Sequence, residues 1–128
     1  MTPAHEEALK LLHLAQADRD AFVYLLPAEH LRDAVVLFHA QQAIEKSLKA
    51  VMTAQNISFG RPHNLLALVA ALIESSVDTP YPPDDVAVLN PYAVLYRYDD
   101  EDVALVTRPE AAQMVARVLT WAESIVTP

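Results

Sequence analysis

Four polar residues crowd the stretch FHAQQAIEKSLKAV, residues 38–51: Gln42, Glu45, Lys46 and Lys49. On a helix turning about 100° per residue, Phe38, Gln42, Glu45 and Lys49 follow one stripe, with His39 and Lys46 further round. Two ammonium groups beside an amide and a carboxylate could hold a phosphate, with Glu45 and Gln42 orienting the cations. Glu45 and Lys49 are also an i,i+4 pair in the favourable acid-first order, which by itself describes a solvated helix face. Phe38 makes the stripe half apolar, and that suits a groove or a subunit contact. Spacing alone leaves these readings open.

Three further patterns carry possible chemistry. In RPHN, residues 61–64, His63 falls at the mouth of a helix, where unpaired backbone N–H groups could assist an anion. It can equally cap or pack that helix start. In YRYDD, residues 96–100, Arg97 lies between Tyr96 and Tyr98. A guanidinium there could grip a phosphate while a tyrosine stacks on a base, or it could tie to Asp99, Asp100 or Glu45. Arg32 and His39, seven apart on one helix face, could divide the work of RNA cleavage, histidine moving protons and arginine holding phosphate. Chance spacing produces the same pair.

Much chemistry is excluded or left without a signal. The chain has no cysteine, hence no disulfide and no thiolate metal site. It has no Glu-x-x-His pair for a dimetal bundle, no H-E-x-x-H and no Gly-rich phosphate loop. No metal and no cofactor are expected.

Charge narrows the ligand class. The net charge is −8, which disfavours broad binding to long nucleic acids. From Arg32 to His63, however, four cations face two carboxylates, a local balance of +2 that leaves −10 for the remainder. A cationic groove within an acidic protein selects a short anion, a nucleotide or a short RNA.

These residues need a scaffold, and the pattern predicts an all-α one: a single domain over 1–128, with one glycine in 128 residues and 53% hydrophobic content. A first helix starts at the N-cap Thr2, with the stripe Ala8, Leu11, Leu12, Ala15, Phe22, Leu25 and Leu26, and closes at Pro27. A second runs from about Glu29 to Gln55, antiparallel to the first, with Leu37, Ile44, Leu48 and Val51 inward, and ends at Asn56 and Gly60. The third, NLLALVAALIESS, is apolar nearly all round and reads as deeply buried. After a proline-rich connection, Asn90 and Pro91 suggest the start of a short helix YAVLYRY, followed by an acidic loop at 99–102. Thr107 and Glu110 fit a capping box opening the last helix, with Ala111, Val115, Val118, Ala122 and Ile125 as its stripe. The charged N-terminus is unlike a signal peptide, and no apolar run reaches bilayer length, so a cytoplasmic protein without a membrane partner is expected.

FHAQQAIEKSLKAV, RPHNLLAL and LNPYAVLYRYDD, in that order between a long first helix and a capped last one, together resemble the HEPN domain family over essentially the whole chain. The resemblance rests on Phe38, Gln42, Glu45, Lys46, Lys49, the His63-Asn64-Leu65 triplet and Arg97-Tyr98. It implies an up-and-down four-helix bundle with an additional short helix, commonly a homodimer. It implies a minimal nucleotidyltransferase as partner in a two-component system of toxin–antitoxin type. It also implies either nucleotide binding or metal-independent endoribonuclease activity through Arg-x(4–6)-His near the last long helix. Neither Arg97 nor Arg108 is followed by such a histidine. A nucleotide- or RNA-associated module is thus the expected function, with ligand residues Gln42, Glu45, Lys46, Lys49, His63, Arg97 and Tyr98. The rivals are a ribonuclease toxin and a pure protein-interaction module using the Phe38 stripe and Trp121.

Overall fold

The computed structural model describes residues 1–60, 64–93 and 106–128. Among them there is no strand, and the protein is an all-helical bundle. Its elements are α1 (Pro3–Leu25), α2 (Asp33–Ala54), α3 (Leu65–Glu74), the short α4 (Pro83–Ala87), a single 3-10 turn at Asn90–Tyr92, and α5 (Arg108–Val126).

Helix ends form where side chains can satisfy orphan backbone groups. The Thr2 side chain accepts from the His5 N–H at 3.1 Å, as its N-cap position predicts. At the start of α5 the capping box closes in both directions, Glu110 N–H to Thr107 Oγ1 at 3.2 Å and Thr107 N–H to Glu110 Oε1 at 3.3 Å. The C-terminus of α2 is a Schellman turn: Asn56 has φ 57°, and Ile57 N–H returns to the Met52 carbonyl at 2.8 Å. The same device closes α3, where Ser76 takes φ 64° and Val77 N–H returns to Leu72 O at 3.0 Å.

Three expectations need correction. The second helix begins at Asp33 rather than near Glu29, because residues 26–31 form turns and Arg32 takes extended backbone as N-cap. Helix α3 is not deeply buried. Leu65, Leu68, Val69 and Leu72 face the core, but Leu66 and Ile73 are 37% and 47% exposed. At Asn90 the expected start of YAVLYRY becomes one 3-10 turn, and residues 94–98 lie outside the described set. The Asn90 side chain serves another helix instead: its Oδ1 accepts from Leu65 N–H at 2.8 Å, and its amide donates to the N-cap Asn64 Oδ1 at 3.0 Å.

One hydrophobic cluster unites the elements, drawing Phe22 and Leu12 from α1, Leu37, Ile44, Leu48 and Met52 from α2, Leu68 and Leu72 from α3, and Val115, Val118 and Leu119 from α5. Each such large side chain contributes about 1.5–3 kcal/mol by leaving water. The α1–α2 contact is the most extensive in the molecule. Ala40, Ala43, Ser47 and Ala50 of α2 are fully buried, and Asp18 of α1 reaches His39 and Lys46 on the same helix. Small side chains allow the two backbones to approach closely.

Arg108, the first residue of α5, locks the connection between α1 and α2. Its Nε donates to Asp33 Oδ1 at 2.8 Å, Nη1 to Leu26 O and Ala28 O at 3.1 and 3.0 Å, and Nη2 to Leu31 O at 2.6 Å. A planar fork of donors thereby satisfies three carbonyls where α1 has ended and α2 has not yet begun.

Candidate functional site

Helix α2 is the central helix, and none of its 22 residues is fully exposed. Its polar residues therefore sit where the bundle is only partly open. Phe38, Gln42, Lys46 and Lys49 are half-buried, and Glu45 is 4% exposed.

A carboxylate that deep needs donors on both oxygens. Glu45 Oε1 accepts from Gln41 Nε2 at 2.9 Å, and Oε2 accepts from Lys49 Nζ at 3.2 Å. Gln42 Nε2 donates in turn to Gln41 Oε1 at 2.6 Å. The amides thus run in sequence toward the carboxylate, and the carboxylate fixes the ammonium. Lys49 Nζ also stands 5.4 Å from the centre of the Phe59 ring, a cation–π contact that limits its motion further.

Lys46 takes a different course. It donates to Asp18 Oδ2 on α1 at 2.5 Å, while His39 Nδ1 meets the other oxygen of Asp18 at 3.3 Å. The Phe38 ring packs edge-on against His39 with centroids 5.2 Å apart. Among the described residues the two lysines are drawn to separate carboxylates, Lys46 to Asp18 and Lys49 to Glu45.

Of the expected ligand residues, the structure joins Gln42, Glu45 and Lys49 through Gln41, and sets Lys46 apart with Asp18 and His39. His63, Arg97 and Tyr98 lie outside the described residues, as do Tyr96 and the acidic run at 99–102. The mouth of α3 is already furnished, because Leu65 N–H goes to Asn90 and Leu66 N–H to Asn64 Oδ1 at 3.0 Å. Two of the donors an anion would need there are occupied. Sequence reasoning missed Gln41 and Asp18. The i,i+4 spacing of Gln41 and Glu45 carries a readable signal. Nothing in a single sequence pairs Asp18 with residues 21 and 28 positions away.

Among the described residues, no group of three or more His, Asp or Glu side chains could hold a metal ion. No helix among them is long and apolar enough to cross a membrane.

The class this defines is a helical bundle whose central helix carries a half-buried, charge-paired polar strip. Comparison with known families gives it a name: the HEPN domain matches residues 8–127, and the chain belongs to the HEPN family, which is generally related to nucleotides and RNA. No curated protein and no solved structure matches it.

Proposed function

We propose that the chain, as a single domain over 1–128, is a nucleotide- or RNA-associated HEPN module that contacts phosphate through the α2 strip. The observation that carries the reading is the state of Lys49. Its ammonium is held by buried Glu45 and bordered by Phe59, yet 12% of the side chain still reaches the surface. An ammonium has three donors, and Glu45 takes one; a preoriented cation of this kind meets phosphate with little further ordering cost. Gln42, Glu45 and Gln41 act as positioning residues, and Lys46 serves from the neighbouring group. His63, Arg97 and Tyr98 complete the ligand set as the family resemblance implies. Strand scission is left out of the reading because neither Arg97 nor Arg108 has a histidine at the family's spacing.

The same proposal makes the protein a cytoplasmic homodimer that partners a minimal nucleotidyltransferase in a toxin–antitoxin type of system. The half-exposed apolar side of α3 supports an association of this kind. The absence of cysteine suits a reducing compartment.

Isothermal titration with mononucleotides and short RNA oligomers tests the phosphate role. Lys49→Gln keeps a donor for Glu45 and removes the charge, so the fold should persist while affinity falls about tenfold or more. A wild-type protein that gives no saturable heat with any of these ligands would return the chain to a pure interaction module.

A further inference from the structure

The polar group that joins α1 to α2 contains a titratable member. Asp18 of α1 accepts on both oxygens, from Lys46 Nζ at 2.5 Å and from His39 Nδ1 at 3.3 Å. The bond to Asp18 places the ring proton on Nδ1, so in the neutral imidazole Nε2 carries a lone pair. Among the described residues no hydrogen bond or ion pair engages Nε2. The His39 and Lys46 side chains are 25% and 27% exposed, so a solute can reach both. Asp18 is the one charged side chain that meets the ring among the described residues, and Lys46 shares it. Arg19, beside Asp18 on α1, turns instead to Asp20 at 3.3 Å and to Glu123 of α5 at 3.8 Å.

Protonation of the ring changes this group in two ways. While the imidazole is neutral, one carboxylate faces one ammonium; once it is charged, the same carboxylate is shared by two cations. Nε2 also turns from an acceptor, which opposes an anion's oxygen lone pair to lone pair, into an N–H donor. A histidine makes this change between about pH 5 and 8. The group beside Lys49 on Glu45 is by contrast the Gln41 amide, which does not titrate.

We propose that His39 makes anion binding on α2 proton-dependent. Lys46 and the charged His39 ring together donate to a phosphodiester, and that subsite is lost when the ring is neutral. The inference rests on the phosphate role given to the α2 strip and adds its regulation. Because the bound state favours the protonated ring, affinity rises as pH falls and levels off once the ring is fully charged. By the same linkage, bound ligand moves the titration of the His39 ring to higher pH.

The probe is a uridine tetranucleotide without a terminal phosphate, because a terminal phosphate itself titrates at about pH 6 whereas phosphodiesters keep one charge. Isothermal titration of the full chain should show binding about tenfold or more tighter at about pH 5.5 than at about pH 7.5. His39→Gln keeps a donor for Asp18 but cannot take a charge, so the gain should shrink to about twofold or less. Asp18→Asn releases Lys46 from its carboxylate and should strengthen binding at the higher pH, the reverse of losing a merely structural residue. In wild-type protein, NMR should show the His39 ring titrating at higher pH when ligand is saturating. Wild-type binding with no pH dependence overturns this inference and leaves the Lys49 reading standing. A pH gain that survives His39→Gln, or a folded Asp18→Asn protein that binds more weakly at the higher pH, also overturns it. Absence of saturable binding at both pH values overturns both readings.

Discussion

The Arg108 side chain makes four hydrogen bonds, and its task is structural. In many HEPN domains, the family resemblance implies, an arginine near the last long helix belongs to a cleavage motif. Here the arginine that opens α5 uses its guanidinium on Asp33 and on three carbonyls of the α1–α2 connection. Arg108→Ala leaves those acceptors and the Asp33 carboxylate without their donor, at an expected cost of about 2–4 kcal/mol in urea unfolding. Arg108→Lys should recover only a minor part, because one ammonium cannot span four acceptors that a planar fork reaches together. Full recovery by lysine would mean that charge alone, and not the fork, holds the connection. Glu45 presents the same logic from the acid side: Gln41 and Lys49 each donate to one of its oxygens, which offsets part of the cost of burying the carboxylate.

At the scale of elements, legibility followed local physics. Thr2, Asn56 and the Thr107–Glu110 box act within a few residues of themselves, so the ends of α1, α2 and α5 could be read from capping chemistry alone. Thr107→Ala removes one side of the box and should cost about 1 kcal/mol. Hydrogen exchange should quicken first at the N–H of Glu110; equal acceleration throughout α5 would instead indicate loss of tertiary packing. Where partners come from afar, reading failed. Asn90 looked like the N-cap of its own helix and instead caps α3, 25 residues earlier. Ser76 gave no warning of its left-handed turn, since serine seldom closes a helix in that way. The start of α2 slipped because Arg108, remote in sequence, stabilises the turns that precede it.

For the molecule as a whole, the bundle was visible in composition and periodicity, while the pairing of Lys46 with a carboxylate on another helix was not. Counting Lys46 and Lys49 as a shared positive patch neglected Asp18, which only the packing of α1 against α2 delivers. The burial of α3 was overestimated for a related reason: an apolar helix need not be covered by its own chain. Leu66, Ala70 and Ile73 recur at i, i+4 and i+7, and this stripe turns outward, with Leu66 and Ile73 more than a third exposed. In a homodimer the stripe has an occupant, a second copy of itself across a two-fold axis, since an isologous contact buries the same apolar patch on both subunits. Light scattering on the wild type should then give twice the chain mass, and Leu66→Glu with Ile73→Glu should halve it while the helical signal persists, because these side chains face away from the core. A dimer that withstands both substitutions must close through another surface, and Leu14 and Tyr24 of α1 are apolar side chains still more exposed than the α3 stripe.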